Sequence, residues 1–378
     1  MRVVVQKYGG SSVADLDKIA AVADRIAATV ADGTRVAAVV SAMGNTTNEL
    51  IALARAASDD PDRRELDMLI SVGERVTMAL LAMCLRDRGV QARSLTGSQS
   101  GIITDEAHAD ASVVEVRPQR LRATLEEGVV AIVAGFQGVS REREVTTLGR
   151  GGSDTTAVVL AAALGAELCE ICSDVDGVWS ADPRIVAAAQ KLPELSLDEG
   201  LALARGGAKV LFEDAVRYAR DQGVTLQASS TFGPGSGTRL QTQAVQRRGA
   251  VAVTGDTALA RVTLAADADG ALDRLVRAGA RVRRMVDQRV WVDTRNVHGK
   301  LPGPSEGVAV VTAVGSGLGE RPREVLAATD ALRRQAVIPT ASGASGDEAW
   351  WEVPADRCTE AVRVVHAVLV EANGVNMA

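Results

Sequence analysis

Alternation of strand-like and helix-like segments over about the first 240 residues restricts the fold more than any other feature. The predicted strands are short runs rich in valine, alanine and isoleucine, at Val3–Gln6, Arg35–Ser41, Gln91–Thr96, Val129–Gly135, Glu167–Ser173 and Thr225–Ser229. Helices are predicted between them, at Val13–Ala31, Glu49–Ala57, Glu65–Arg88, Gln119–Glu127, Asp154–Leu164, Leu197–Ala204 and Val210–Gln222. This pattern predicts an α/β fold with a mainly parallel sheet covered by helices on both faces. Ligands of such sheets bind beyond the carboxyl ends of the strands.

A different pattern follows the polar stretch 241–249, which we predict to be a linker. Residues 250–378 show strand, helix and strand segments twice over, which predicts two small related α+β units. The first unit is expected to lack its last helix, because "TRNVHGKLPGPSEG" stands in its place.

Composition limits the classes of function. A chain of 378 residues predicts two or three domains, and a net charge of −6 argues against nucleic acid or an anionic membrane as the main partner. We found no apolar run near the roughly 20 residues that a membrane span needs. The chain opens directly on a predicted strand, without the layout of a signal peptide, so we predict a cytoplasmic protein.

The four cysteines are Cys84, Cys169, Cys172 and Cys358, and the middle two have the C-x-x-C spacing of some metal and redox sites. They lie on a predicted strand, where residues three apart point to opposite faces. A zinc site would also need a second pair of ligands. The sequence therefore favours small core residues, and we predict no protein metal site.

The stretch "TTLGRGGSDTTAV", from Thr146 to Val158, places three glycines just before a predicted helix. Bare backbone N–H groups at a helix start suit an anion. Arg150 can hold a carboxylate bidentately, and Asp154 can orient a lysine or a magnesium ion.

The stretch "KYGGSS" has a similar layout, with Lys7 at a strand end followed by Gly9 and Gly10. Ser11 and Ser12 are expected to cap the next helix. Lysine with bare backbone suits a polyphosphate, although no Walker A motif occurs in the chain. Taken alone, a strand, turn and helix with glycines is more often plain turn chemistry.

Hydroxyl and carboxyl groups lie near two further predicted helices. Ser41, Thr46 and Thr47 precede one helix, where simple capping is the alternative to ligand binding. Glu74 lies in a strongly apolar helix, either at a surface stripe or facing a cleft, and the neighbouring Gly73 favours the cleft.

The loop "SDVDGVWSADPR" follows a predicted strand and ends at Arg184. An adenine can stack on Trp179 and phosphates can pair with Arg184, while a structural loop of Asx-turns is the alternative. Lys209 follows two glycines at another predicted helix start.

Two lysines without an evident nucleophile and base suggest phosphoryl transfer by positioning and charge neutralisation. His108 is the only histidine in the first 240 residues. A carboxylate acceptor is already ionised at neutral pH and needs no general base.

Seven motifs, in order over about residues 3–240, resemble those of the aspartate kinases. The motifs are "KYGGSSV", "VVSAMGNTTNEL", "SVGERVTMALLAM", "LTGSQSGIITDEAHADA", "VAGFQGV", "TTLGRGGSDTTAV" and "SDVDGVWSADPR". The resemblance implies an amino acid kinase fold at 1–240, followed by regulatory ACT-like units at 250–378. It also implies ATP and Mg²⁺ as cofactors, and L-aspartate as the substrate that is converted to 4-phospho-L-aspartate.

The resemblance also implies roles for individual residues of this chain. Catalysis would fall to Lys7, Asp154 and Lys209. ATP would be bound by Lys7, Tyr8, Gly9, Gly10, Ser173, Asp174, Trp179, Arg184, Lys209 and Val210. Aspartate would be bound by Ser41, Thr47, Glu74, Arg150 and Ser153, with Glu74 on its ammonium group and Arg150 on a carboxylate.

The chain departs from the family pattern in two places. Phe212, Glu213 and Asp214 replace the usual histidine and proline after "KVL". The two carboxylates either weaken ATP binding or pair with Lys209, or they lie in the first turn of a helix and face solvent, which we favour. The segment "AADADGALDRL" lacks the proline–glycine loop usual at an effector site, which predicts weak feedback regulation. A homodimer through the ACT-like units is the expected assembly. A kinase for another acidic or carbamoyl-type acceptor and a non-catalytic binding subunit are the alternatives.

Overall fold

The structure is a computed structural model that describes residues 2–233, 235–243, 249–264, 270–295, 297, 301 and 303–372. The chain divides into two compact units. The first comprises Met1–Val178, Leu192–Leu197 and Val210–Ala244, and the second comprises Trp179–Lys191, Asp198–Lys209 and Val245–Ala378. The functional division at 1–240, 241–249 and 250–378 stays a prediction, and linker positions 244–248 lie outside the described residues.

The strands of the first unit belong to two sheets. They are β1 (Val3–Tyr8), β2 (Arg35–Val40), β3 (Ala92–Leu95), β4 (Ile102–Thr104), β5 (Val113–Val116), β6 (Val130–Ala134), β7 (Gln137–Ser140), β8 (Val145–Thr147), β9 (Leu168–Ser173), β10 (Glu194–Ser196), β11 (Leu226–Ser230) and β12 (Thr238–Gln241). The main sheet has the order β10-β12-β11-β9-β1-β2-β6-β3, and only β11 and β12 pair in antiparallel fashion. A smaller sheet has the order β5-β4-β7-β8.

All six predicted strands are present, and the main sheet is largely parallel as expected. Strands β4, β5, β7, β8, β10 and β12 were not predicted. Each has only three or four residues, which is too short for a periodic pattern to stand out.

The helices that accompany these strands follow the predicted order. They are α1 (Leu16–Ala31), α2 (Thr46–Ala57), α3 (Arg63–Ile70), α4 (Val72–Asp87), α5 (Gln119–Glu126), α6 (Gly152–Leu164), α7 (Leu197–Arg205) and α8 (Glu213–Gln222), of which α7 belongs to the second unit apart from Leu197. The prediction of one helix over Glu65–Arg88 was wrong, because the helix is interrupted at Ser71. The Ser71 N–H donates to the carbonyls of Asp67 and Leu69, which closes the last turn of α3.

The caps predicted for the first helix were also wrong. Asp15, not Ser11 or Ser12, caps α1 by accepting a hydrogen bond from the Lys18 N–H at 2.9 Å. Gly10–Val13 forms a separate 3₁₀ turn. The Ser12 hydroxyl lies in the interior, 2.6 Å from that of Thr231.

One described helical stretch, Arg63–Asp87, is long and apolar enough to span a bilayer by length and composition. Half of its most apolar window is buried within the fold, as in the core helix of a globular protein. We assign no membrane span on this basis.

Strand register places the predicted functional loops at one edge of the main sheet. Tyr8 at the end of β1 lies opposite Val40 of β2 and Cys172 of β9. Val40 in turn lies opposite Ala134, the last residue of β6. The chain therefore leaves β1, β2, β6 and β9 side by side, as the parallel topology requires.

The second unit contains one antiparallel sheet with helices. Its elements are β13 (Ala252–Thr263), α9 (Ala271–Arg277), β14 (Arg281–Val286), β15 (Arg289–Asp293), β16 (Ser305–Val314), α10 (Pro322–Arg334), β17 (Ala341–Ser345), β18 (Glu348–Val353) and α11 (Cys358–His366), which continues as a wider turn over Ala367–Glu371. The strand order is β14-β15-β13-β16-β18-β17. This order is symmetric about β13 and β16, in keeping with the predicted repeat.

Two predictions for this unit concern segments that lie partly outside the described residues. Positions 265–269 belong to the segment compared with an effector loop, and positions 296, 298–300 and 302 to the segment expected to replace a helix.

Two glycines with nearly equal backbone angles separate conformational strain from crowding. Gly33 has φ +80° with open space around it, whereas a Cβ on Gly101, at φ +83°, would overlap the Arg117 carbonyl. We expect Gly33→Ala to lower the free energy of unfolding by about 1–2 kcal/mol, the cost of a left-handed alanine. Gly101→Ala should cost at least twice as much. Urea unfolding of both variants measures the difference, and equal losses would contradict the assigned crowding.

Candidate active site

A buried ion pair lies where β1 meets the start of α6. The Lys7 Nζ is 2.5 Å from an Asp154 carboxylate oxygen, with side-chain exposures of 10% and 2%. A Cβ on Gly9 would lie 3.4 Å from the Lys7 Nζ, an ordinary van der Waals contact, so packing against the ammonium group does not require this glycine. The predicted association of Asp154 with a lysine is therefore present in the geometry.

Glycines allow α6 to approach the sheet closely. Helix α6 follows Gly151, whose φ of +75° favours glycine. A Cβ on Gly135, just after β6, would lie 2.8 Å from the Ser153 Oγ and 3.0 Å from the Val40 carbonyl. Ser153, itself buried, is thereby held beside the ends of β2 and β6.

Glu74 lies in a buried position and not at a surface stripe of its helix. Its side chain belongs to the first turn of α4 and the residue is 3% exposed. The Ala42 N–H donates to its Oε1 at 3.0 Å, while Oε2 is buried without a hydrogen-bond partner among the described residues. Gly73 makes this approach possible, since a Cβ there would lie 2.6 Å from that of Ala42.

Burial dominates the protonation of Glu74. Loss of water raises its pKa to about 7, against the opposing effect of hydrogen bonds from two backbone N–H groups, its own and that of Ala42. A carboxylate held in this way gains from a cationic ligand, which would satisfy Oε2 and offset the lost hydration.

The other residues predicted to bind aspartate lie on neighbouring loops. Ser41 follows β2 and is partly exposed, with its N–H donating to the Tyr8 carbonyl at 3.1 Å. Thr47 is the second residue of α2, not a residue before the helix. Arg150 is exposed in the turn between β8 and α6.

The residues after Lys7 differ in what they offer a phosphate. The Tyr8 ring is completely buried and its hydroxyl donates to Gln6 at 3.1 Å, so only its backbone remains for a ligand. The Gly9 N–H donates to the Cys172 carbonyl at 3.3 Å. A Cβ on Gly10 would lie 3.1 Å from the Ala42 carbonyl, which explains the second glycine by packing.

The predicted nucleotide residues are divided between the compact units. Ser173, Asp174 and Val210 belong to the first unit, and Trp179, Arg184 and Lys209 to the second. Within the first unit, the Ser173 hydroxyl accepts from the Val175 N–H at 3.3 Å.

Within the second unit, the Trp179–Lys191 segment is anchored at Ser180. The Ser180 hydroxyl lies 3.0 Å from the His366 Nε2, and its carbonyl accepts from the Val253 N–H at 2.7 Å. Arg184 is highly exposed and pairs with Asp182 at 2.6 Å.

Lys209 does not begin a helix as predicted, because α8 starts four residues later, at Glu213. Glu213 and Asp214 occupy the first turn of α8, as we predict, but both are partly buried and do not fully face solvent. Phe212 packs against Gly151, where any Cβ would overlap its ring.

Sequence reasoning pointed to Gly73 but missed the Ala42 N–H and Gly135, which help to hold Glu74 and Ser153 in place. The Ala42 N–H has no side-chain signal, and Gly135 acts by letting other atoms approach. The cysteines Cys169 and Cys172 are buried in β9, where loss of water raises the pKa of both thiols.

Comparison with known proteins identifies the family. The profile of the amino acid kinase family matches residues 2–227. An aspartokinase of Corynebacterium efficiens is 54% identical over 241 residues, which cover 64% of this chain and 57% of that protein. An aspartokinase of Corynebacterium glutamicum is 48% identical over 298 residues, covering 78% of this chain and 70% of that protein.

Solved structures agree with these relatives. Aspartokinase III of E. coli, in complex with aspartate and ADP, has a TM-score of 0.85 at 25% identity, covering 97% of this chain and 99% of that one. Aspartate kinase from Synechocystis has a TM-score of 0.59 at 32% identity, covering all of this chain and 70% of that one.

The chain belongs to the amino acid kinase family and has its fold. Within that family it belongs with the aspartokinases, as the Corynebacterium glutamicum relative shows. The match spans little more than half the length of the Corynebacterium efficiens protein.

Burial of Glu74 predicts a specific dependence of stability on pH. A carboxyl group whose pKa is raised by folding, here from 4.5 to about 7, destabilises the folded state increasingly as pH rises through that interval. Glu74→Gln removes this titration. We expect the unfolding free energy of the variant, relative to wild type, to rise by about 2–3 kcal/mol from pH 5 to pH 9. Denaturant unfolding at several pH values measures it, and a constant difference would show that Glu74 is not strongly perturbed.

Proposed function

We propose that the protein transfers the γ-phosphoryl group of ATP to the side-chain carboxylate of L-aspartate, giving 4-phospho-L-aspartate and ADP. Its similarity to aspartokinases supports this reaction. So does its similarity to an aspartokinase structure that holds aspartate and ADP.

The observation that carries the proposal is the combination of two buried charged groups, one near the end of β1 and one in the first turn of α4. Lys7, next to Asp154, supplies a cation for a phosphate. Glu74, whose Oε2 is buried without a partner, supplies an anion for an ammonium group. The Ala42 N–H that fixes Glu74 lies just beyond β2, and Lys7 pairs with Val39 of that strand. A site with these groups suits a ligand with an ammonium group that receives a phosphoryl group.

The chemistry needs positioning more than proton transfer. An ionised oxygen of the aspartate side chain attacks the γ-phosphorus, the bond to the β,γ-bridging oxygen breaks, and ADP leaves with that oxygen's electron pair. Lys7 stabilises negative charge on the transferred group, and Asp154 fixes the lysine in place. Lys209 is proposed as the second cation.

The acceptor is held by charge and hydrogen bonds. Arg150 pairs with a carboxylate of aspartate, and Glu74 with its ammonium group. Hydroxyl groups of Ser41, Thr47 and Ser153 complete the proposed set.

Nucleotide contacts are proposed for Ser173, Asp174, Trp179, Arg184 and Val210, and for the backbone of Tyr8, Gly9 and Gly10. Mg²⁺ would be held mainly by phosphate oxygens, as is usual for this ion. No cluster of three or more His, Cys, Asp or Glu side chains suited to a metal occurs among the described residues. ACT-like regulatory units, weak feedback regulation, a homodimer and a cytoplasmic location remain predictions.

Replacing the buried lysine tests the reaction. With MgATP, L-aspartate and hydroxylamine, we expect wild type to form aspartyl hydroxamate, and Lys7→Met to lower kcat/KM at least about 100-fold by removing a charge from the transition state. Lys18→Met is the matched control, since Lys18 pairs with exposed Asp15, and it should retain activity. The double variant Lys7→Met/Asp154→Asn avoids leaving a buried carboxylate unpaired. Its circular dichroism spectrum verifies that it folds.

The outcomes separate the candidate functions. Hydroxamate from another acidic or carbamoyl-type acceptor, but not from aspartate, would change the assigned substrate. ATP binding without turnover on any acceptor would favour the non-catalytic subunit.

Glu74 predicts how aspartate recognition depends on pH. Below a pH of about 7 the free carboxyl group is protonated and cannot pair with the ammonium group. We therefore expect kcat/KM for aspartate to rise about tenfold per pH unit up to that pH, and then to level off. Glu74→Gln should give a low value that does not change over the same range. A rising limb in the variant would assign the titration to another group.

A further inference from the structure

Asp67 is a buried carboxylate that joins three separate segments of the first unit. It lies on α3 and is 0% exposed. Its two oxygens accept hydrogen bonds from the Thr147 hydroxyl at 2.5 Å and from the Ala109 N–H at 3.2 Å. The His108 Nδ1 lies 2.7 Å away and acts as a donor. One carboxylate thus ties α3 to β8 and to the segment before β5.

These contacts lie directly behind the turn that carries Arg150. Thr147 is the last residue of β8, three positions before Arg150, and its carbonyl accepts from the Ala111 N–H at 2.9 Å. Gly149 has φ +66°, and a Cβ there would lie 2.6 Å from Asp110 and 3.4 Å from the Ala109 carbonyl. The His108–Asp110 segment therefore forms the wall against which the turn rests.

This wall has an unfavourable backbone that its contacts maintain. Ala109 has φ +70°, a left-handed conformation that is unfavourable for an alanine. Such strain persists where surrounding contacts determine it, and here the Ala109 N–H points at both oxygens of Asp67.

We propose that Asp67 and His108 are positioning residues for Arg150, the group assigned to a carboxylate of the acceptor. This inference rests on the proposed function for the identity of the acceptor. Neither residue contacts the acceptor in this scheme. They fix the turn after β8, so that the guanidinium group is already oriented before the acceptor arrives. Pre-orientation of this kind lowers the entropy lost on binding.

Two adjacent threonines provide a matched test. Thr146 and Thr147 are both fully buried in β8, but Thr146 bonds Thr104 at 2.6 Å, whereas Thr147 bonds Asp67. We expect Thr147→Val and His108→Ala to raise the aspartate KM about tenfold and to leave the ATP KM within about twofold. Thr146→Val should change neither KM. His108→Asn, which keeps an N–H near the Nδ1 position, should restore most of the lost affinity.

A double-mutant cycle tests whether the effect passes through Arg150. With Arg150→Ala in place, His108→Ala should produce almost no further rise in the aspartate KM, because the group that it orients is gone. If the two substitutions raise the aspartate KM independently, so that their effects multiply, His108 acts elsewhere and the proposal is overturned.

Hydrogen exchange separates this inference from the proposed function. Whatever the substrate, His108→Ala and Thr147→Val should speed amide exchange in residues 148–153 at least tenfold. Exchange in β6 should not change in these variants, and the Thr146→Val variant should exchange as wild type does. Unchanged exchange in that peptide would refute the positioning role even in an active enzyme. If wild type forms no hydroxamate but exchange is faster in the variants, the proposed reaction is refuted and the positioning role is retained.

Discussion

The contact between Lys7 and Asp154 is the interaction on which the candidate site depends. Two opposite charges lie 2.5 Å apart almost without solvent, so each compensates for the hydration that the other has lost. The pair joins β1 to the first turn of α6 and so fixes the helix start relative to the sheet. Removing either partner alone would leave an uncompensated buried charge, which makes the arrangement one unit. Such a pair is weak evidence for added stability, and its value lies in geometry.

Glu74 adds a second constraint of the opposite kind. Its carboxylate receives hydrogen bonds from two backbone N–H groups but has no counter-ion among the described residues. The fold therefore accepts an electrostatic cost at neutral pH that a bound cation would remove. The net stability of a protein is a small difference between large opposing contributions. A cost of this kind is therefore significant. Local features that cost stability, as this one does, are typical of functional sites.

Sequence patterns predicted the elements of the main sheet because its buried strands are continuous apolar runs flanked by helices. They did not predict strands such as β8, which has three residues and exists through its pairing with β7. Apolar or glycine-rich surroundings drew attention to Lys7, Glu74 and Asp154, but plain turn chemistry or a surface position stayed open for the first two, and the roles of all three rest on the family resemblance. Asp67 gave no comparable signal, because its partners His108 and Thr147 are 41 and 80 positions away. Tyr8 shows the converse, since a residue within a motif proved to have its ring in the core.

The division of the chain into discontinuous units has a consequence for synthesis on the ribosome. Residues 179–191 are made early but belong to the second unit. The Val253 N–H and the His366 ring that hold Ser180 are contributed by residues made much later. Strand β13 likewise pairs with β16, where Ala252 lies opposite Val314. The early segment must therefore wait without its native partners while the intervening chain emerges. Formation of the second unit is for this reason a late and largely non-local event, and such events fold slowly.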